Sequence, residues 1–131
     1  MDRAYVLTGL SYAILGISLG IYMASTHNHI QHVTHAHIML VGFLVSFVYG
    51  LCHKLWLTNG HSILAKVQFA LHQFAAMIML LGLFISYGQY LPYDKIEAVL
   101  ISTTLIVLLA MFLMFVLVYQ SKTSLETSLK I

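Results

Sequence analysis

Charged residues are scarce in this sequence. Among 131 residues it has six Lys and Arg and four Asp and Glu, while 60% of its residues are hydrophobic. A water-soluble globule of that composition would have too little polar surface to stay in solution. The scarcity of charge therefore excludes an ordinary soluble domain and predicts an integral membrane protein.

Other features that are scarce exclude further classes. Cys52 is the only cysteine, so an intrachain disulfide is impossible. The formal net charge is only +2, without the basic stripe that marks a nucleic-acid-binding protein. No Asp or Glu lies in the interior of a long hydrophobic stretch, which argues against a carboxylate that carries a pumped proton.

The hydrophobic residues form four long stretches. A hydrocarbon core of ~30 Å is crossed by about 20 apolar residues in a helix. The sequence offers segments of that length at approximately 4–24, 34–56, 62–87 and 95–119. We predict an all-α protein, a four-transmembrane-helix bundle that forms a single membrane domain over residues 1–131.

Small residues mark one face of the first predicted span. They recur at helical offsets, at Gly9, Ala13, Gly16 and Gly20. In lipid, such a face lets another helix approach closely. We expect a helix to pack there, and a porphyrin lying against this smooth face is the functional alternative.

Basic residues are distributed unequally between the two sides of the membrane, and Lys and Arg favour the cytoplasmic side. With four spans, Lys95 lies on one side, and five basic residues lie on the other: Arg3, Lys54, Lys66, Lys122 and Lys130. We therefore predict that both termini are cytoplasmic. We also expect the membrane to be a bacterial inner (plasma) membrane. The first loop then faces outward.

Histidine, in contrast, is abundant. Of eight histidines, five fall within eleven residues at the predicted outer surface, namely His27, His29, His32, His35 and His37. A neutral imidazole can bind a transition metal or heme iron without bringing a formal charge to the membrane border. The alternative is a solvated polar loop, but no charged residue lies among the five, which favours ligands.

His35 and His37 open the second span. Residues two apart on an α-helix point about 200° apart, so these two cannot easily serve one metal from one helix. The face of His37 continues through apolar residues and suits a flat macrocycle. The face of His35 suits water or a polar network, since it continues through small and polar residues, namely Gly42, Ser46, Tyr49 and His53.

His72 lies well inside the third span, about one turn after Gln68. An ionisable residue at that depth is costly and is by default a functional candidate. The alternative is a neutral histidine hydrogen-bonded to Gln68 or to another helix.

Amphipathic rings prefer to lie at the membrane interface. We expect three of them there, namely Tyr5, His53 and His61.

Residues 34–82 resemble a known family. The runs THAHIMLVGFLVSFVYGLCHKLWLTNG and LAKVQFALHQFAAMIMLLG are similar to a late helix pair of heme-copper oxidase subunit I and to small four-helix proteins described as oxidase subunit I-like. In the large oxidases the first histidine of His-x-His ligates the active-site heme and the second ligates the low-spin heme. The resemblance implies these roles for His35 and His37. His72 resembles only the second-helix histidine of the small proteins.

The sequence departs from the large oxidases in its metal ligands. It contains no His-Pro-Glu element and no adjacent His-His pair, so copper-dependent oxygen reduction has no visible ligand set in this chain. Whether the chain is an enzyme stays open. If it is one, the resemblance implies an oxidoreductase.

The leading hypothesis is a membrane b-type cytochrome that holds heme b through His35 or His37. The second axial ligand is His27 or His29, or His72, or His37 of a second copy, which symmetry would hold at equal depth. Two histidine ligands would favour electron transfer, and one would leave a position for O2 or NO.

Two other classes stay open. The first is a protein that binds copper or zinc through the outer histidines, His27, His29 and His32. The second is a structural or assembly subunit without a cofactor. In each case we expect membrane lipid and further copies of the chain as partners, and the cytochrome would also need a redox partner or a quinol.

Overall fold

The computed structural model describes residues 1–57 and 62–121. These ranges contain only helices and turns, and four helices are long and apolar enough to cross a membrane: Asp2–Thr26, His32–Leu55, Ile63–Tyr87 and Tyr93–Gln120. The predicted all-α fold with four transmembrane helices is confirmed, and each helix begins and ends within two residues of its predicted span. His61 lies outside the described residues.

The second of these helices is not uniform. It consists of α2 (His32–His37), a π-helical segment (Ile38–Leu44) and α3 (Val45–Leu55), while the others are α1 (Asp2–Thr26), α4 (Ile63–Tyr87) and α5 (Tyr93–Gln120). We call His32–Leu55 the second spanning helix. A π-helical turn accommodates an extra residue in the backbone ladder and is often found at functional sites.

The small face of α1 packs against the second spanning helix. Gly9, Ala13 and Gly16 are buried, and a Cβ added at Gly9 would lie 3.3 Å from the carbonyl oxygen of Phe43. At Gly16 the same atom would lie 3.0 Å from a methyl group of Ile38. The absence of side chains on this face therefore lets the two backbones approach closely, and a helix, rather than a porphyrin, covers it.

The helices form two pairs. α1 packs along the second spanning helix, α4 packs along α5, and the pairs meet where α2 and the π-helical segment contact α4. The first and third loops lie at the same end, since the Gln31 side chain donates a hydrogen bond of 2.9 Å to the carbonyl of Phe84. The N-terminus of α1 and the end of α3 share the opposite end, where Gly50 approaches the backbone of Asp2.

Two groups of buried apolar residues hold the helices together. Near the N-terminus of α1, Tyr5 and Tyr49 pack with Met114 of α5. Nearer the first loop, Met79 packs with Ile96 and Leu100. Large side chains thus fill the space between the helix pairs at the α1 N-terminal end, where a group of buried polar atoms also lies.

Candidate functional site

Three of the predicted ligands lie in the first loop and at its border with α2. His27, His29 and His32 are all exposed, and the ring of His32 is fixed by a 3.0 Å hydrogen bond from Nδ1 to the carbonyl of His29. His27 ends α1 in the left-handed conformation, at φ 52°. In the described part of the chain, no three His, Cys, Asp or Glu side chains come together as a metal site.

His35 lies between α2 and α1. Its Nδ1 donates a 2.8 Å hydrogen bond to the carbonyl of Gly16, and a Cβ added at Gly20 would lie 3.1 Å from its Cε1. The bond from Nδ1 leaves the lone pair on Nε2, which is the arrangement of a neutral metal-binding imidazole. The ring itself is packed against the first helix.

His37 carries the same tautomer on the other side of α2. Its Nδ1 donates a 2.9 Å hydrogen bond to the carbonyl of Val33, one turn earlier, and its side chain is only half-buried. Because residues two apart on an α-helix point about 200° apart, the two imidazoles face different neighbours. His37 thus offers Nε2 from a flank that α1 does not cover.

His72 is fully buried, and it lies far from His37. Its Nε2 is 3.3 Å from Oγ of Ser46. Ser46 follows His37 by nine residues, and because the π-helical turn takes up one of them, the separation is roughly 12 Å along the helix axis. Of the two alternatives considered from the sequence, the bond to another helix is the one observed, and Gln68 makes no hydrogen bond with His72. Gln68 instead bonds with the Tyr5 hydroxyl and donates to the carbonyl of Ala110.

Tyr5 and His53 lie near helix ends, as expected from the sequence, but their rings are packed inside the bundle rather than exposed to the aqueous interface. Both are buried, with 0% and 6% of their surface exposed, and their rings stack with centroids 5.4 Å apart. The ring of Tyr49 is 5.5 Å from that of Tyr5 and 4.9 Å from that of His72. We call Tyr5, Tyr49, His53 and His72 the buried histidine–tyrosine cluster.

The sequence contained one signal for this cluster. Ser46, Tyr49 and His53 recur at helical offsets, and the face that they share was expected to suit water or a polar network. The structure buries all three side chains. Hydropathy alone could not find the cluster, because it does not show that Tyr5 and His72 approach this face from two other helices.

Two grooves run between α1 and α4 on the surface that faces lipid. They have volumes of about 440 Å³ and 250 Å³ and share Tyr12, Leu15 and Met77 in their walls. Neither groove is lined by His35 or His37. These two grooves therefore do not hold a planar group bound to His37.

Comparisons of the chain with protein-family models, with curated proteins and with solved structures found no match.

Proposed function

We propose that this protein is a membrane-bound b-type heme protein that transfers electrons, and that His37 is its iron ligand. One observation carries the proposal: Nδ1 of His37 donates to a backbone carbonyl, so the free lone pair is on Nε2, on a half-buried apolar flank of the helix. When bound there, heme supplies an iron centre that takes up and releases one electron.

His37 suits heme better than His35 does. The His35 ring is packed against α1 on the Gly16 and Gly20 side, so a macrocycle on its Nε2 would have to displace part of that contact. The hydrogen bond of His37 is to Val33 of its own helix, so a macrocycle on His37 Nε2 would disturb no hydrogen bond between helices. The resemblance to oxidase subunit I points the same way, since it implies the low-spin, electron-transferring heme for His37.

The second axial ligand in this proposal is His37 of a second copy of the chain. His72 is bonded to Ser46, roughly 12 Å from His37 along the helix axis, which is too far for one iron. Two copies related by a twofold axis would hold their His37 rings at equal depth. His27 or His29, exposed in the first loop, would be the ligand in a monomer.

Two axial histidines leave no open position on the iron, which favours electron transfer over binding of O2 or NO. The electron donor or acceptor would be a redox partner or a quinol in the same membrane. We assign the protein to the bacterial inner membrane with both termini in the cytoplasm, on the Lys and Arg bias of its loops.

The test is an absorption spectrum of the full chain, purified in detergent from heme-replete cells, before and after reduction by dithionite. We expect a Soret band that shifts on reduction and one heme per two chains. His37→Ala should abolish the band. The controls are His35→Ala and His72→Ala, which each remove a histidine from the same bundle. Both variants should retain the Soret band.

Other results would change the conclusion. A shift of the reduced spectrum under carbon monoxide would indicate an open iron position and gas binding. Loss of heme in His27→Ala or His29→Ala would favour a monomeric site. A featureless spectrum would reject the heme proposal, and copper and zinc analysis of the chain and its His32→Ala variant would then separate a metal-binding protein from a cofactor-free subunit.

A further inference from the structure

The buried histidine–tyrosine cluster is a second polar site within the membrane, separate from His37. Its members come from three helices: Tyr5 from α1, Tyr49 and His53 from α3, and His72 from α4. Their rings surround that of Tyr5, at centroid distances of 5.4 to 6.4 Å. Met114 of α5 packs against the two tyrosines.

The hydrogen bonds at one edge of the cluster fit a His72 ring that is protonated on Nδ1. The Gln73 amide donates to Ser46 Oγ at 3.4 Å and to Thr8 Oγ1 at 3.1 Å. Ser46 Oγ accepts from Gln73 and has one proton, which it donates to His72 Nε2 when that nitrogen carries the lone pair. In this tautomer the proton of the neutral His72 ring is on Nδ1, which faces the other side of the ring.

Four polar atoms of the cluster have no hydrogen-bond partner among residues 1–57 and 62–121. They are Tyr49 Oη, both ring nitrogens of His53, and His72 Nδ1. The backbone carbonyl of Val41 approaches the His72 ring without meeting hydrogen-bond geometry. The three side chains are more than nine-tenths buried, and buried polar groups in proteins are almost always paired, with protein or with ordered water.

These atoms combine both hydrogen-bonding roles. His72 Nδ1–H is a donor, a neutral His53 ring offers one donor and one acceptor, and the Tyr49 hydroxyl is both. Water needs two to four polar partners of mixed type to be stable inside a protein. An apolar ligand would leave these groups unpaired, and a cation would meet no carboxylate there.

The cluster also reaches the membrane border. His53 lies in the last turn of α3 beside Lys54, and this end of α3 packs against the start of α1, where the N-terminal amine is 3.6 Å from the Asp2 carboxylate. These are the charged groups nearest His53, and the phenols of Tyr5 and Tyr49 are the titratable groups that face His72.

We propose that ordered water occupies the buried histidine–tyrosine cluster and links His72 through Tyr49 and His53 to the aqueous phase at the N-terminal end of α1. The site makes His72 a proton-exchanging group within the bilayer, although no charged side chain accompanies it. The inference does not rest on heme binding, since no member of the cluster takes part in the His37 site.

The experiment is solid-state NMR of the full chain in lipid bilayers, with ¹⁵N-labelled histidine. His72→Phe identifies the His72 ring signal by its loss. In the wild-type protein we expect an exchange cross-peak between water protons and the His72 Nδ1–H proton. Its absence would overturn the proposal without any variant, because a ring sealed in an anhydrous core exchanges no proton with water.

A matched pair of variants then tests the route. Tyr49→Phe removes only the hydroxyl that would bridge the two histidines, and it should abolish the cross-peak. Tyr12→Phe makes the same change on α1 outside the cluster, and it should leave the cross-peak unchanged. Equal loss in both variants, or no loss in Tyr49→Phe, would overturn the proposed route.

Discussion

At the scale of single residues, Gln68 shows how a polar side chain stabilises a protein in lipid. It is fully buried on α4, bonds with the Tyr5 hydroxyl of α1 and donates 3.1 Å to the Ala110 carbonyl of α5. One amide thus connects three helices. Buried hydrogen bonds between membrane helices are worth about 0.6 kcal/mol on average and up to about 1.7 kcal/mol.

A double-mutant cycle measures this contact. We expect Gln68→Leu and Tyr5→Phe each to lower the free energy of unfolding, with a coupling energy of about 0.6 to 1.7 kcal/mol between them. The reason is that either change alone leaves the other partner unpaired. Unfolding in mixed micelles of detergent and dodecyl sulfate gives the four free energies.

The control cycle combines Gln68→Leu with Tyr12→Phe. Tyr12 packs against Gly42 and does not bond to Gln68, so the two effects should add. A coupling energy near zero for Tyr5 and Gln68 as well would show that their contact does not stabilise the fold.

At the scale of elements, the π-helical segment Ile38–Leu44 separates the two functional parts of the second spanning helix. His35 and His37 lie before it, in α2, and Ser46, Tyr49 and His53 lie after it, in α3. Within the segment, Gly42 packs so closely on Tyr12 that an added Cβ would lie 2.6 Å from the ring. The altered winding therefore sets which face of α3 meets His72.

Deletion of Leu40 tests the role of the extra residue. A π-helical turn holds one residue more than the α-helix around it. Removal of exposed Leu40 should therefore restore α-helical winding and leave the rotation of α3 relative to α2 about the helix axis nearly unchanged. We expect the free energy of unfolding to fall by under about 2 kcal/mol. Thermal denaturation in detergent measures this loss.

Deletion of Ile14 is the matched control, because this residue is also exposed and apolar but lies in the regular helix α1. Its removal rotates one half of α1 by about 100° against the other and separates Gly16 from His35. If the Leu40 deletion proved as damaging as this one, the segment would not be a simple one-residue insertion.

At the scale of the whole molecule, antiparallel helices place the first and third loops at one end. Gln31 bonds to Phe84, and the rings of His32 and Tyr87 lie 6.5 Å apart. The structure determines which loops share an end, and the Lys and Arg bias predicts which end is cytoplasmic. The contacts between the loops and the distribution of basic residues are independent observations.

Cysteine labelling tests the orientation. In a Cys52→Ala background, we expect a membrane-impermeant maleimide to label Asn28→Cys and Gln89→Cys in intact cells. Arg3→Cys should react only after the membrane is permeabilised. All three positions are exposed. Labelling of Arg3→Cys alone in intact cells would show the inverted orientation, and labelling of Asn28→Cys without Gln89→Cys would contradict the shared end of the two loops.

What could be predicted for the site depended on how local each signal is. The opposite directions of His35 and His37 follow from helix geometry over two residues, and the structure gives them separate partners, Gly16 and Val33. The partner of His72 could not be predicted from its neighbour Gln68. That choice depended on Ser46 and Tyr5, which reach α4 from other helices.

The amino-acid sequence by itself determined the number of membrane helices, their bounds within two residues and the small face of α1, because hydropathy and helical periodicity are local properties of the chain. Only the tertiary structure decided that Tyr5 and His53 are buried inside the bundle rather than exposed at its surface, and that the Tyr5 ring packs against both His53 and His72. The physical reason is that the polar atoms of such a ring can form hydrogen bonds either with water at the interface or with other side chains. The packing of helices that are distant in the sequence decides which of these partners the ring has.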